Sequence, residues 1–499
     1  MKNEVPSSVA AIDLGSNSFH MIVCKLDNGK LRTIDRLREM VRLASGLDNN
    51  RNLNIETQNK ALECLERFGQ RIQNFPAGSV RIVGTNTLRT AKNSQEFIEK
   101  AEKALGHPID IIAGIEEARL IYQGVANSLG SNAKSRLVMD IGGGSTEYII
   151  GVDDTAKTKE SLNMGCVTVS NKFFKDGAIT KRSFKRSVLF AQHQLDPFYK
   201  KFNSNRWDEA IGASGSLRSI HKVLIASEWS NNGITKQGLE KLVSHITECK
   251  HVSELKLPEL SEERLPVFVG GVAIVYATFQ ILNIEQMTVS DGALREGLVH
   301  DLLGRLYDHD IRSKTVATIA EHYHTDQQHS DRINQTVNYI LNQLDSSCCA
   351  DNSKNITQFL NWAVTLHEIG RDIAHSQYHK HSAYVIENGD FAGFSRKDQL
   401  LLATLVRSHR KKLSRSRFKK LPEPWDKDSP YLVIILRLAI LLHRNRHTLE
   451  IPHFKITINP SVIEIIFDDH WLDDAPLTRT DLESEAFYLD NAGYQLVFS

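Results

Sequence analysis

The sequence predicts an α/β protein built from two similar halves in tandem, followed by an all-α segment and a small α+β segment at the C-terminus. Three observations carry this. A turn of the form Asp-x-Gly followed by small hydroxyl or amide residues, set between two apolar extended runs, occurs at Asp13 and again at Asp140. Each copy begins a stretch in which strands give way to alternating helix and strand, the pattern of a wound α/β layer. From about Ile311 the strand-like runs stop and helices rich in His and Leu take over, until β-like alternation returns over 451–467.

In the first half, residues 9–12 form a short apolar strand that ends in Asp13. Leu14, Gly15, Ser16, Asn17 and Ser18 make the turn, and residues 19–26 resume an extended run. Asn28 and Gly29 mark a tight hairpin into 30–37, giving three antiparallel strands. Ala61, Leu62, Leu65, Phe68 and Ile72 recur at helical spacing, so 57–75 is an amphipathic helix. Strands at 80–83 and 109–112 then alternate with helices at 93–105 and 116–129.

The second half opens on RLVMDIGGGSTEYII, residues 136–150. Its apolar run closes at Asp140, and Gly142, Gly143 and Gly144 permit positive φ and close approach of a ligand. Ser145, Thr146 and Glu147 add two hydroxyls and a second carboxylate before strand character resumes. Such a turn suits a phosphate and its metal ion, since amide groups face the anion while a carboxylate holds a hard cation. A helical region over 167–202 and a strand at 209–213 lead to a further small-residue turn at Ser214, Gly215 and Ser216. Helices at 239–252, 265–282 and 292–306 and a strand at 287–289 complete the half. Boundaries near Ile121, Asp308 and Arg446 divide the chain into 1–121, 122–308, 309–446 and 447–499. Pro422, Pro424 and Pro430 mark a loop within the helical part.

Composition narrows the function. Lys plus Arg number 61 against 60 Asp plus Glu, a net charge of +1, which excludes a generic nucleic-acid coat and a polybasic membrane binder. Any anion site is therefore local. The six cysteines form no CxxC pair or disulfide framework, which fits a reducing cytoplasm. The run read as the longest greasy one, 431–442, is interrupted by Arg437 and reads as a buried helix, not a membrane span.

Seven motifs in order, AIDLGSNSFHM, GTNTLR, IIAGIEEARLIY, MDIGGGSTE, NMGCV, GASGS and SDGALREG, resemble those of the exopolyphosphatase and guanosine pentaphosphate phosphohydrolase family of the actin-like sugar-kinase superfamily. The resemblance implies two actin-like (ribonuclease H-like) domains, an HD-like helical domain and a small C-terminal domain. It implies removal of the terminal phosphate from inorganic polyphosphate, from guanosine pentaphosphate, or from both, with water and Mg²⁺, and leaves room for a monovalent cation such as K⁺. It places the catalytic base at Glu117 and metal-holding and water-orienting carboxylates at Asp140 and Glu147, with Arg89 steadying the phosphoryl group. Its phosphate-binding loops fall on Gly15, Ser16, Asn17 and Ser18, on Gly142, Gly143, Gly144, Ser145 and Thr146, and on Ser214, Gly215 and Ser216. A cytoplasmic homodimer follows from the same likeness, with peripheral membrane association as the furthest departure from it.

Phosphoanhydride hydrolysis needs an in-line water, a proton acceptor and cancellation of charge on the transferred phosphoryl. Glu117 is the acceptor, Asp140 with Asp13 the metal holder, the glycine turns the amide donors and Arg89 a bidentate fork. Plainer readings stand beside these. Glu117 opens a helix, where the macrodipole favours an acid with no catalysis, and Asp13 can simply cap its turn. Asp291 and Arg295 are read either as an ion pair or as ligand contacts. His329, Arg332, His367 and Glu368 echo an HD metal pattern with Glu in place of Asp and no final Asp, read as a scaffold that has lost its metal. The basic stretch containing Arg410, Lys411, Lys412, Arg415, Arg417, Lys419 and Lys420 is read as a track guiding polyphosphate. The expectation is an exopolyphosphatase, with guanosine pentaphosphate hydrolysis as the alternative. An actin-like ATP-binding non-enzyme and a small-molecule kinase stand further off, because neither a filament repeat nor an acceptor pocket is found.

Overall fold

The computed structural model describes the chain except residues 1–5, 28–29, 131–132, 308–309, 345–352, 447–451 and 469–470, so the Asn28-Gly29 turn, Cys348, Cys349 and Asp469 lie outside the described residues. The chain divides into two units, Met1–Asp310 and Ile311–Ser499.

The first unit holds two sheets with one winding. Strands β1 (Ser8–Leu14), β2 (Phe19–Asp27), β3 (Lys30–Glu39), β4 (Val80–Gly84) and β5 (Asp110–Ile111) lie in the order β3-β2-β1-β4-β5. Strands β6 (Ser135–Ile141), β7 (Thr146–Val152), β8 (Thr155–Leu162), β9 (Glu209–Ala213), β10 (Ile234–Thr235) and β11 (Gln286–Val289) lie in the order β8-β7-β6-β9-β11-β10. The repeat in sequence is thus a repeat in register. Asp13 pairs across to His20 on β2 and lies beside Val83 on β4. Asp140 pairs across to Glu147 on β7 and lies beside Ala213 on β9.

Strand β1 shows no polar alternation because both of its faces are covered, and Val9, Ala10, Ala11 and Ile12 are all fully buried. Ala10 and Ile12 face a core shared with helices Ile55–Ile72 and Ser94–Leu105. Val9 and Ala11 face a core that includes helices Gly114–Leu129 and Leu294–Leu306 together with Val138, Ile149 and Ile211 of the second sheet. The expected boundary at 121 falls inside helix Gly114–Leu129, which serves both sheets. Two details differ from expectation. The second sheet has an outer strand, β8, whose sequence TAKTKESL is half-exposed and polar on both faces, so it lacks the apolar alternation that marks a strand. The expected helical region at 167–202 is broken into Cys166–Phe173, Lys181–Leu195 and shorter turns.

Helix Leu265–Leu282 is long and apolar enough to cross a membrane, more so than the run at 431–442, yet its residues form the core of the second sheet's layer.

The second unit packs helices Gln327–Leu341, Ser353–Leu366, Arg396–Ser408 and Trp425–Leu442 around one apolar core. That core continues into the sheet of β12 (Phe454–Ile458), β13 (Val462–Phe467) and β14 (Gln495–Phe498) and into helix Pro476–Asp490, so segments 309–446 and 447–499 share it. Arg437, the charge inside the greasy run, is fully buried and holds both oxygens of Glu485 while donating to the carbonyls of Ser408 and Lys411. One guanidinium therefore ties the long helix to Pro476–Asp490 and to the start of the basic stretch.

A comparable clamp in the first unit centres on Asp301. Its carboxylate meets Arg119 at 2.6 Å, Arg305 at 3.0 Å and Arg81 at 3.8 Å, joining helix Leu294–Leu306 to helix Gly114–Leu129 and to β4. Burial alone would raise the Asp301 pKa, but Arg305, Arg119 and Arg81 outweigh it and hold the carboxyl below its usual range. A depressed folded pKa contributes stability above the unfolded value and loses it as pH falls through the folded one. Asp301→Asn, which leaves three guanidinium groups without their shared carboxylate, is expected to cost about 3–5 kcal/mol at neutral pH in denaturant titration. The gap to the parent chain should narrow below about pH 4, where the parent's own advantage is being titrated away.

Candidate active site

Asp13 and Asp140 end equivalent strands, and the turns that follow them close on each other. The first turn is tied down by N–H donation from Ala44 to the Ser16 carbonyl and from Arg42 to the Asn17 carbonyl, both at 2.8 Å. The second is tied down in the same way, with Cys166 donating to the Gly142 carbonyl at 2.9 Å and Val167 to the Gly143 carbonyl at 3.0 Å. With these carbonyls engaged, the turns can offer an anion backbone N–H groups, though that of Gly142 is already given to the Ser145 carbonyl at 2.9 Å, and the polar side chains of Ser16, Asn17, Ser18 and Ser145. Thr87 Oγ1 donates to Ser16 Oγ at 2.8 Å, and Asn86 lies against Gly144, so the GTNTLR segment braces both turns.

The glycines serve close approach here and not positive φ, since none of Gly15, Gly142, Gly143 and Gly144 is left-handed. A Cβ on Gly144 would stand 2.4 Å from Asn86 Oδ1, and one on Gly165 would stand 2.2 Å from the Gly143 carbonyl oxygen. In the third turn the left-handed residue is Ser214, at φ 76°, whose hydroxyl donates to the Ile141 carbonyl.

Around these turns lies a cleft of about 570 Å³ with an acidic floor. Asp13, Asp140 and Glu117 line it, while Glu147 is buried beside Asp140 and accepts from Ser161 Oγ at 2.8 Å. Burial, and then the charges of Glu117 and Asp140, push the Asp13 carboxyl up to about 8. Burial and Glu117 push Asp140 up to about 7. Burial raises Glu117 against the pull of Arg89, and burial with Glu117 and Asp140 raises Glu147 well above the carboxylate range. Asp13 Oδ1 is buried with no hydrogen-bond partner. Gathered all-oxygen donors with one orphaned atom fit a hard divalent cation.

The cleft also has a basic wall, lined by Arg36, Arg38, Arg218, Lys222, Arg264 and Arg295. Arg264 lies so close to Gly215 that a Cβ there would fall 1.7 Å from its guanidinium. His20 links this side to the first turn. Arg295 Nη1 donates to His20 Nδ1 at 2.8 Å, so the ring's proton sits on Nε2 and is donated to Ser18 Oγ, also at 2.8 Å. Burial, followed by Arg295, Arg38, Arg264 and Arg218, holds the His20 pKa well below its ordinary value.

The sequence-derived residues thus separate into two groups. Asp13, Gly15, Ser16, Asn17, Ser18, Glu117, Asp140, Gly142, Gly143, Gly144, Ser145, Ser214 and Gly215 meet at the cleft. Thr146 donates to the Met164 carbonyl, Ser216 sits behind Ser214, and neither lines the cleft. Arg89 is also absent from the lining. It donates to the Ile112 carbonyl at 2.7 Å and approaches Glu117 Oε2 at 3.4 Å, which makes it a partner of the candidate base. The Asp291–Arg295 pair is not formed, since Asp291 faces Arg218 at 3.7 Å and Arg295 turns to His20 and Glu296. The basic wall was missed because its members are single arginines and lysines spread over several elements, which no local pattern groups.

In the second unit, Lys411, Lys412, Arg415, Lys419 and Lys420 of the basic stretch are exposed, with Arg410 and Arg417 half-buried. Arg410 stacks on Tyr378 and Arg415 on Tyr494. His329, His367 and Glu368 do come together there.

Residues 22–306 match the Ppx/GppA phosphatase family, and residues 311–486 match Ppx/GppA phosphatase domain III. A Vibrio cholerae protein named guanosine-5'-triphosphate,3'-diphosphate pyrophosphatase is 39% identical over 491 residues, covering 98% of this chain and 97% of its own. The crystal structure of the Aquifex aeolicus member of the Ppx/GppA family superposes with a TM-score of 0.50 at 27% identity, over 60% of this chain and 98% of its own. An exopolyphosphatase structure from Cytophaga hutchinsonii, at 23% identity and a TM-score of 0.54 over 60% of this chain and 98% of its own, shares the fold.

The Gly165 contact gives a direct check on the turns. Gly165→Ala drives its methyl into the Gly143 backbone, which no rotamer relieves. A shift of about 1 Å in a positioning element costs roughly 100-fold in rate, so turnover is expected to fall by about that factor while circular dichroism remains native.

Proposed function

The chain belongs to the Ppx/GppA phosphatase family, and from that premise we propose that it hydrolyses the terminal phosphoanhydride of guanosine 5'-triphosphate,3'-diphosphate. The observation that carries this reading is the end-to-end likeness to the Vibrio cholerae protein of that name. The expectation of an exopolyphosphatase gives way here to its alternative, which the full-length likeness favours. A cleft lined by carboxylates and six cationic side chains also suits a nucleotide that carries phosphate at two positions.

In this reading the terminal phosphoryl rests on the N–H groups of the paired turns. Glu117 takes a proton from the attacking water, and its burial, which raises the pKa, makes it a better base. The water oxygen bonds to the terminal phosphorus as the bond from that phosphorus to the bridging oxygen breaks. The electron pair leaves with the penultimate phosphate, giving inorganic phosphate and a nucleotide shortened by one phosphate. Arg89 holds the Glu117 carboxylate from outside the cleft. Asp13 and Asp140 would hold Mg²⁺, which when bound supplies positive charge to the phosphate oxygens.

Two measurements check this. Glu117→Gln is expected to lower kcat by about 10²–10⁴ with KM little changed, since it removes the proton acceptor and leaves the turns intact. Full activity in that variant would remove the base from the scheme. With Mg²⁺ present, phosphate release should show a higher kcat/KM on guanosine 5'-triphosphate,3'-diphosphate than on long-chain polyphosphate, and the opposite order would return the polymer as the substrate.

The polymer keeps one observation in its favour, the exposed charge at Lys411, Lys412, Arg415, Lys419 and Lys420. If polyphosphate uses this stretch, neutralising Lys411, Lys412, Arg415 and Arg417 together will lower processivity on long chains and spare the nucleotide. Equal loss on both substrates would sink that role.

A further inference from the structure

The second unit contains a cluster of imidazoles that the proposed reaction does not use. His329 lies in the first turn of helix Gln327–Leu341, and His367 and Glu368 follow helix Ser353–Leu366. One donor atom from each of the three lies within 4.8 Å of the others. His329 and His367 are 3% and 2% exposed. His329 Nδ1 and His367 Nε2 are buried with no hydrogen-bond partner, although an unsatisfied buried polar atom costs about 1–3 kcal/mol.

The orientation of His367 is informative. Its Nδ1 faces the Val364 carbonyl, which can only accept, so the proton sits on Nδ1 and Nε2 presents a lone pair. That lone pair points into a space where the Glu368 Oε1 atom is 3.6 Å away. A ring whose far N–H is fixed by a backbone carbonyl is the usual arrangement of a metal-ligating histidine. His409, whose ring centroid is 5.2 Å from that of His367, repeats it, with Nδ1 on the Val406 carbonyl and Nε2 buried without a partner.

We infer that His329, His367 and Glu368 form a second metal site, specific for a transition-metal ion of the Zn²⁺ type and separate from the carboxylate floor of the first unit. Two imidazoles and one carboxylate are a set that zinc takes with its fourth position open, whereas Mg²⁺ and Ca²⁺ prefer oxygen alone. Tetrahedral bonds of this length put donors about 3.4 Å apart, so the 3.6 Å pair already fits and His329 closes by a side-chain adjustment.

Glu368 is at present held by other cations. Arg446 donates to both of its oxygens and Arg371 reaches Oε1 at 2.8 Å. Both arginine side chains are over a third exposed, at 36% and 37%, and can turn to water when an ion arrives. Arg446 thus acts as a counter-ion that competes with the metal. The bound ion would pin the start of helix Gln327–Leu341 to the segment after Ser353–Leu366.

The test uses the full-length protein, stripped of metal and then dialysed against Zn²⁺ or Co²⁺. The expected result is one tightly held ion per chain that survives Asp140→Asn and is lost in His367→Gln and in His329→Ala, with Co²⁺ giving the intense visible absorption of a tetrahedral site. Zn²⁺ should raise the thermal midpoint of the parent chain and leave that of His367→Gln unchanged, by mass action on the folded state. Arg446→Ala should bind Zn²⁺ about tenfold more tightly, a gain that a misfolded variant cannot produce. No retained ion, or retention and midpoint shift unaltered in both histidine variants, overturns the site. Loss of the ion in Asp140→Asn alone would assign it to the first unit and overturn it equally.

Discussion

The constraint on which the cleft of the first unit depends is the burial of carboxylates gathered around the ends of two equivalent strands. Asp140, Glu117 and Glu147 are buried and Asp13 is partly buried, and in each burial is the largest cause that raises the carboxyl. A carboxylate taken out of water keeps its charge only where positive charge or hydrogen-bond donors stand near it, and Arg295 acts on Asp13 and, with Arg218, on Asp140. The surrounding construction is consistent with that need. The turns beside Asp13 and Asp140 present N–H groups, their carbonyls being tied back to Arg42, Ala44, Cys166 and Val167. Arg295 of the basic wall reaches the first turn through His20, whose pKa is held well below its ordinary value.

Duplication explains how the cluster is assembled, and its imperfection explains how roles are divided. The register of β1 on β2 equals that of β6 on β7, so the position occupied by Glu147 in the second half is occupied by His20 in the first. In the second half this position adds a carboxylate beside Asp140. In the first it supplies a relay from Arg295 to Ser18. The same backbone device therefore gives the floor an extra negative group on one side and an anchor for the wall on the other. Glu117 belongs to neither copy. It comes from helix Gly114–Leu129, which packs in the core common to both sheets and so reaches the point where the turns meet.

Much of this was legible in the sequence, for identifiable reasons. Strand-Asp-Gly turns are local, and β1, β2, β6 and β7 begin or end within a few residues of where apolar runs and glycines place them. The floor was legible because each of its acids sits in a motif. The contact of Arg89 with Glu117 was not legible because the two are 28 residues apart and no spacing rule connects them. The wall was illegible for the same reason, since Arg38, Arg218 and Arg264 come from different elements and share only the cleft. β8 was missed because an edge strand with both faces half-exposed carries no period-two signal. Helix Leu265–Leu282 was placed correctly, but that it is the most membrane-like helix and still a core element follows only from packing.

Asp301 shows why the cleft is built as it is. Asp301 is a buried and Asp13 a partly buried carboxylate in the same unit, yet their pKa values move in opposite directions. Asp301 has Arg119, Arg305 and Arg81 around it, and the protein's own cations more than repay its desolvation. Asp13 has two carboxylates nearby and one oxygen with no partner at all. A fold able to surround one buried acid with three guanidinium groups could have done so for the other, since arginines line the same cleft. Had they closed onto the floor, the carboxylates would be satisfied and would bind nothing. The carboxyls of the cleft are therefore left raised in the free protein, against the partial pull of Arg295 and Arg218, where that of Asp301 is held low.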